Sequence, residues 1–526
     1  METKLIVPIA AKNLEGAGEQ VKAAVAAGAE AVELRTDYLE NLTALLVKKL
    51  VGESKAAGVP VIVTCRDRRQ GGARDYPEQL RVVVLVSALG AGAGFIDFEY
   101  ENFLSAENQE KILVGLSQNP NARLILSAHN FKTKFTNIGK LYRDILAVYS
   151  AAIPKLIYTA NHINDCFDAF DLLHQTGGER IVFCMGEAGL ISRVLAKKLG
   201  SFVTFASIDE KTATAPGQLT IEQFKRLYRY DCINADTELF GVIGCPVGHS
   251  LSPAVHNVCF GDVGLDKLYL PLLIEGGQEE FERFMNNIVT RKWLGFGGFS
   301  VTIPHKRNAL DYVRRNRGFI EALAERIGSV NTVVIGADGK LAAYNTDYAG
   351  ALNAITSTLG ISRGDLKGLA VAVIGAGGVA RAIVAGLSDV GARIKIYNRT
   401  FKKGEKLAAE FGCFFAPLDD LPSLKAKLVI NCTSIGMHPN SEATALPKEC
   451  IKKDMVVFDT VYNPLETLLL KQAKDAGAKT IDGLSMFVNQ ACAQFKLFTG
   501  QDATPKLMRK TIYNCLSQNQ PEQSAL

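Results

Sequence analysis

The run Lys367-Gly368-Leu369-Ala370-Val371-Ala372-Val373-Ile374-Gly375-Ala376-Gly377-Gly378-Val379-Ala380-Arg381-Ala382 decides the fold of the second half of the chain. Its first half is an unbroken apolar block, as in a strand buried on both faces. The glycines then permit a tight turn, and a helix opens on them. The next apolar run, Arg393-Ile394-Lys395-Ile396-Tyr397, ends in Asn398-Arg399-Thr400. Strand, glycine turn, helix and second strand open a Rossmann fold, with a helix N-terminus turned to a pyrophosphate. An acidic residue after the second strand would hold the ribose 2′-hydroxyl of NAD. Here Arg399 stands instead, followed by Lys402 and Lys403, which favours the 2′-phosphate of NADP. A glycine turn that only packs a helix on its sheet, beside a solvated arginine, is the other reading.

Towards the N-terminus the punctuation changes. Eight short apolar runs, at 5–10, 31–37, 61–66, 95–100, 123–129, 155–160, 180–186 and 202–208, alternate with longer amphipathic stretches such as Leu14–Ala27 and Leu42–Ala57. Eight strand–helix repeats in about 225 residues fit a (β/α)8 barrel, against an open doubly wound sheet as the competing arrangement. The expected fold class is α/β: an N-terminal (β/α)8 TIM barrel over 1–233, then a two-lobed unit over 238–515 with a Rossmann NADP-binding domain. The join falls near Asp231–Thr237, and the last residues, 516–526, read as a tail.

Composition excludes several classes. The 526 residues carry 59 Lys+Arg against 54 Asp+Glu, a net +5 that is too dilute to mark a nucleic-acid binder. Hydrophobic content of 48% and charged content of 21% exclude a disordered chain, a collagen and a coiled-coil rod. The 11 cysteines include no Cys-x-x-Cys pair, which argues for a reducing compartment. The 7 histidines show no metal spacing, so no metal is expected. The longest apolar stretch, Leu369–Leu387, is Gly-rich and contains Arg381, so it does not read as a membrane span. Met1–Pro8 lacks signal- or transit-peptide character. A soluble intracellular monomer is expected, cytoplasmic or in a plastid stroma if from a plant, with small-molecule partners and neither nucleic acid nor membrane.

Polar residues gather at the ends of the barrel strands: Glu33, Arg35 and Asp37, then Arg66, Glu99 and His129. Barrel enzymes carry their chemistry at those ends, and charges so close to buried strands are costly unless paired or used. Lys155 follows Pro154 at the start of the sixth expected strand. Turned into the barrel, a lysine is expensive to keep as a cation, which favours an imine-forming amine. At the strand edge it is a surface lysine. His129 reads either as a general acid/base or as a satisfied core histidine.

In the C-terminal unit, Pro246-Val247-Gly248-His249-Ser250-Leu251-Ser252-Pro253 sets two hydroxyls in a turn before a helix. Such a turn receives a carboxylate, although Ser252 alone also suits a helix N-cap. Ser300-Val301-Thr302-Ile303-Pro304-His305-Lys306 ends a strand on a lysine, and Asn345-Thr346-Asp347 offers it a carboxylate. Taken alone the lysine reads as a surface residue, and spacing does not bring it to Asp347; a Lys–Asp pair over a substrate hydroxyl would relay a proton during hydride transfer.

These motifs occur in order with Asn331-Thr332, Gly375–Arg381, Asn398–Thr400, Asn431-Cys432-Thr433-Ser434-Ile435-Gly436-Met437, Val461-Tyr462-Asn463-Pro464 and Asp482-Gly483-Leu484-x-Met486-x-x-x-Gln490. The set resembles shikimate dehydrogenase over 238–515. The resemblance implies Ser250, Ser252, Thr302, Asn331, Asp347, Tyr462 and Gln490 around shikimate, and Lys306 with Asp347 as the catalytic pair. It implies NADP on Gly375, Ala376, Gly377, Gly378, Val379 and Ala380, on Asn398, Arg399 and Thr400, and beside Thr433, Gly483 and Met486. Ser252 and Thr302 favour shikimate over quinate. The implied lobes are 238–350 for substrate and 351–515 for NADP, with C-terminal helices returning to the substrate lobe.

The first part carries Glu33-Leu34-Arg35-Thr36-Asp37, Thr64-Cys65-Arg66, Gly71-Gly72, Ser127-Ala128-His129-Asn130-Phe131, Pro154-Lys155, Gly189–Arg193 and Ala215-Pro216-Gly217-Gln218. It resembles type I 3-dehydroquinate dehydratase. The resemblance implies a Schiff base on Lys155, His129 as the base at C2, and Glu33, Arg35, Arg66, Arg193 and Gln218 on the carboxylate and hydroxyls. Thr214 stands where the family has serine and keeps the hydroxyl. The family carries Glu before the Gly-Gly pair, whereas this chain has Gln70. A neutral partner stabilises an imidazolium less, so a lowered His129 pKa and a rate cost of up to about 10³-fold are implied. Jointly the chain resembles the fused dehydratase–dehydrogenases of the shikimate pathway. Two further readings stand: a working reductase with a barrel that binds but turns over weakly, motivated by Gln70, and a sensor built on the same domains.

Overall fold

The computed structural model describes residues 3–518. The chain divides into two compact units. One holds residues up to Glu238 with Asp266–Gly276 and Arg283–Gly295; the other holds Leu239–Leu265, Gly277–Glu282 and the chain from Phe296 onward. The last helix runs Pro505–Gln518, so the start of the expected tail is helical and 519–526 lie outside the described residues.

In the first unit eight strands follow one another: β1 Lys4–Ile9, β2 Ala31–Arg35, β3 Val61–Thr64, β4 Phe95–Glu99, β5 Arg123–Asn130, β6 Ile153–Thr159, β7 Ile181–Met185 and β8 Val203–Phe205. They pair in parallel in the order β7-β6-β5-β4-β3-β2-β1-β8, a near-closed barrel. Ile6, Ile62, Ile125, Ile153, Ile157, Ile181, Phe183, Val203 and Phe205 share one buried cluster. Branched side chains of this kind fill a barrel interior and make it a core, not a pore.

Most strand ends move by a residue or more from the sequence reading, and three of these shifts bear on the site. β2 and β3 stop at Arg35 and Thr64, before Asp37 and Arg66. The Asp37 carboxylate accepts the backbone N–H groups of Arg66 (3.3 Å) and Ala73 (2.9 Å), which bends both segments out of the ladder. β6 starts at Ile153, because Pro154 aligns with Leu126 and is part of the strand; Lys155 is therefore inside it, not at its start.

In the second unit lie β9 Glu238–Gly244 (its first residue apart), β11 Phe296–Val301, β12 Phe319–Ile320, β13 Thr332–Ile335 and β14 Leu341–Tyr344, while β10 Lys267–Leu273 falls in the first. Across the sheet the order is β9-β11-β13-β14-β12. A separate sheet holds β15 Ala370–Ile374, β16 Arg393–Asn398, β17 Phe414–Pro417, β18 Leu428–Asn431, β19 Val456–Asp459 and β20 Lys479–Ile481, in the parallel order β17-β16-β15-β18-β19-β20. Val371 and Val373 face one buried cluster with Ile383 and Ile396, and Ala372 and Ile374 face another with Val429 and Val457. Burial on both faces is why this strand reads as one apolar block.

No helix among the described residues is long and apolar enough to cross a membrane. All eleven cysteines are free. Among the described residues no cluster of His, Cys, Asp or Glu is arranged to hold a metal ion.

Candidate active sites

The barrel opens on a cavity of about 90 Å³ at the C-terminal ends of its strands. Glu33, Arg35, Arg66, His129, Lys155, Arg193, Thr214 and Gln218 all line it, as does Gln70. Lys155 is buried: its Nζ lies 2.7 Å from Asp97 Oδ2, 3.2 Å from Glu33 Oε1 and 4.7 Å from the centre of the Phe205 ring. Asp97 also accepts from Arg66 (2.7 Å) and Ser127 (2.7 Å). Burial alone would raise its carboxyl, but Arg66 and Lys155 outweigh it and hold the group well below the usual carboxylate range. Arg66 is itself fixed by Asp97, Glu99 (2.9 Å) and Ser127 (2.6 Å).

Arg35 is oriented by two parallel bonds to Asp37, at 2.9 and 2.8 Å. Thr214 donates through its backbone N–H (2.7 Å) and hydroxyl (3.2 Å) to Gln218 Oε1, which closes their loop on itself. Arg193 is fully buried, stacks on Phe183 at 4.7 Å, and its Nε and Nη2 have no protein partner. Burial lowers its pKa to about 10. His129 bonds Gln70, and burial, then the Arg66 and Lys155 cations, hold its pKa well below the ordinary histidine value. Gly72 is required by close approach, since a Cβ there would sit 2.2 Å from the Arg66 carbonyl oxygen.

The second unit encloses a cavity of about 420 Å³. Ser250, Ser252, Thr302, Lys306, Asn331, Asp347, Tyr462 and Gln490 all line it. Lys306 Nζ lies 2.6 Å from Asp347 Oδ2, and Asn331 Nδ2 donates to the other oxygen at 2.9 Å. Ser252 is the first residue of the helix Ser252–Asp262, and Ser250 Oγ accepts its N–H at 3.3 Å; the hydroxyl nearer a capping role is therefore that of Ser250.

Of the expected cofactor residues, Val379, Gly483 and Met486 reach this cavity. Gly375 sits in the turn with φ +111°, and a Cβ there would press on the Thr433 methyl at 3.0 Å. Ala376 is half-buried against the core and Ala380 is buried within it. A Cβ on Gly377 or Gly378 would meet only open space, and the helix Gly378–Asp389 has no side-chain N-cap bond. Asn398 ends β16 and donates to the Thr400 carbonyl at 2.7 Å, while Arg399 and Thr400 are exposed beside it.

Sequence reasoning missed Asp97, the carboxylate nearest Lys155, and Gln494, which lines the second cavity. Both were findable. Asp97 is two residues before Glu99 and shares its strand face, and Gln494 is four after Gln490 on one helix face.

Family models match in four segments: type I 3-dehydroquinase at 5–235, shikimate dehydrogenase substrate binding domain at 242–333, shikimate/quinate 5-dehydrogenase at 359–484, and shikimate 5'-dehydrogenase C-terminal domain at 483–513. A chloroplastic bifunctional 3-dehydroquinate dehydratase/shikimate dehydrogenase of Arabidopsis thaliana is 34% identical over 96% of this chain and 83% of its own. The chain belongs to this bifunctional family. The shikimate dehydrogenase (NADP(+)) of Methanosarcina acetivorans is 42% identical over 53% of this chain and 98% of its own. A Thermus thermophilus shikimate 5-dehydrogenase, solved with NADP(H) and shikimate, is 34% identical over 53% of this chain and 100% of its own, with TM-score 0.47.

The dehydrogenase half fits a dinucleotide on its own geometry. The open space over Gly377 and Gly378 leaves the backbone of the turn approachable, and the uncapped helix start presents N–H groups to an anion.

Proposed function

We propose that the chain catalyses two consecutive steps: dehydration of 3-dehydroquinate to 3-dehydroshikimate in the barrel, and NADPH-dependent reduction of that ketone to shikimate in the second unit. The observation that carries the first step is Lys155, buried inside the barrel between Asp97 and Glu33 at the floor of the cavity.

The Lys155 ammonium passes a proton to solvent in the cavity, the free amine attacks the substrate ketone, and water leaves as the imine forms. The imine is an electron sink that acidifies the neighbouring C–H. His129, held neutral, takes the C2 proton through Nε2 and returns it to the departing C1 hydroxyl, which leaves as water. Hydrolysis of the imine frees the enone and restores the amine. Arg193 receives the substrate carboxylate, because its buried nitrogens lack protein acceptors. Arg35, Arg66, Thr214 and Gln218 take the hydroxyls.

In the second unit Ser250, Ser252 and Thr302 hold the carboxylate, and Asn331, Tyr462 and Gln490 the ring hydroxyls. Bound NADPH supplies the hydride. Lys306 gives the developing alkoxide its proton and Asp347 fixes the ammonium that does so. Gly375–Ala380 hold the pyrophosphate, Asn398, Arg399 and Thr400 the 2′-phosphate, and Thr433, Gly483 and Met486 the nicotinamide end.

We take the functional boundaries as 1–233, 238–350 and 351–515. The partners are these small molecules, the active form is a monomer, and the compartment is the cytoplasm or a plastid stroma. Borohydride reduction in the presence of 3-dehydroquinate tests the first step: the mass of the peptide containing Lys155 increases by the reduced adduct. NADPH oxidation on addition of 3-dehydroshikimate tests the second.

A further inference from the structure

Asp459, the last residue of β19, is fully buried, and no cation is paired with it among the described residues. Its carboxylate accepts three bonds from neutral donors: Asn431 Nδ2 at 2.9 Å, the Val461 N–H at 3.1 Å and the Thr467 hydroxyl at 2.6 Å. Each donor belongs to a different segment: the end of β18, the residues just after β19, and the start of the helix Leu468–Asp475.

Asn431 stands opposite Asp459 in the β18–β19 register. With its amide nitrogen held by Asp459, its oxygen accepts the N–H (3.0 Å) and hydroxyl (2.7 Å) of Thr433. The Thr433 methyl in turn packs on Gly375. The bond to Val461 fixes the backbone between Thr460 and Tyr462, both on the wall of the second cavity. Thr467 caps the helix Leu468–Asp475 through the Leu470 N–H at 3.3 Å.

A buried anion without a cation is an expensive way to hold a fold together. Two of its three donors have a different use: Asn431 leads through Thr433 to the glycine turn and Val461 leads to Tyr462 on the cavity wall, while Thr467 leads only to its helix cap. We propose that Asp459 is a positioning residue for hydride transfer: through Asn431 it sets Thr433 against the glycine turn, and through Val461 it sets Tyr462 on the cavity wall. This rests on the reading of the second unit as an NADPH-dependent reductase. Asp459 itself is not among the residues that line the second cavity.

The test is Asp459→Asn in the full chain, which keeps the shape but turns an amide N–H towards donors. NADPH affinity by fluorescence titration, KM for NADPH and 3-dehydroshikimate, and dehydratase turnover are read on one preparation. The NADPH Kd and both KM values rise by about tenfold, while dehydratase turnover is unchanged and serves as the internal measure of intact chain. A merely structural role lowers the melting temperature and leaves the Kd of the folded fraction where it was, and that result overturns the proposal. If Asp459→Asn abolishes cooperative unfolding of the second unit, Thr467→Val decides by the same titration. A weakened NADPH affinity supports the role, and an unchanged one overturns it. Failure of the unaltered chain to oxidise NADPH with 3-dehydroshikimate would instead overturn the reductase reading.

Discussion

Gln70 Oε1 faces two nitrogens of His129, the backbone N–H and the ring Nδ1, each at 3.2 Å. The backbone N–H is always a donor, so the facing atom is the amide oxygen. That oxygen only accepts, so Nδ1 carries the hydrogen and Nε2 keeps its lone pair for the substrate. Burial and the Arg66 and Lys155 cations keep the ring neutral. The working form of a base is the neutral one, so the acid limb of the dehydratase kcat/KM lies below the ordinary histidine range. Gln70→Glu puts a carboxylate on the same atom, favours the imidazolium and moves that limb to higher pH by about one unit. A pH–rate profile of both chains checks the shift, and coincident profiles refute it.

Arg193 is a buried guanidinium whose Nε and Nη2 have no protein acceptor. Its folded pKa, about 10, lies below the usual arginine value of 12.5, so the fold disfavours the cation and loses stability to it at neutral pH. Arg193→Met keeps an unbranched apolar stem and removes the charge, together with the guanidinium that stacks on Phe183. The substrate-free melting temperature rises, and KM for 3-dehydroquinate rises by about 10²-fold. A lower melting temperature with an unchanged KM would show the arginine to be structural.

Lys306 and Asp347 form the 2.6 Å pair at the second cavity. Lys306→Met removes the proton donor but no part of the cofactor cradle. Reductase kcat falls by about 10²- to 10⁴-fold, while NADPH affinity and dehydratase turnover stay as they were. Stopped-flow reduction with a parallel NADPH titration separates these quantities. A loss confined to NADPH affinity would move Lys306 out of the chemical step.

Arg399 is exposed at the end of β16, beside Lys402 and Lys403. Arg399→Asp replaces a phosphate partner with a hydroxyl partner. The ratio of kcat/KM with NADPH to that with NADH falls by about 10²-fold. An unchanged ratio would assign the 2′-phosphate to other residues.

The sequence made the strands legible because parallel strands buried on two faces leave continuous apolar runs, as Ala370–Ile374 does. It was less informative where a strand end is settled by side chains distant in sequence. Asp37 draws in the backbone of Arg66 and Ala73, and nothing local to Val61–Arg66 announces that the ladder ends at Thr64. Pro154 read as a boundary, yet it lies within β6, and that places Lys155 inside the barrel and not at its edge. The two readings left open for Lys155 were separated only by the neighbours Asp97 and Glu33, which come from β4 and β2. Motifs name most polar residues at the two cavities, Gln494 excepted; they do not name Asp459, because a carboxylate ending an apolar strand has no motif of its own.

The most direct test of the whole account supplies the chain with 3-dehydroquinate and NADPH and no other enzyme. Shikimate forms by chromatography, with one NADPH oxidised per shikimate. If NADPH is oxidised only when 3-dehydroshikimate is added, and 3-dehydroquinate persists, the two-step account is contradicted.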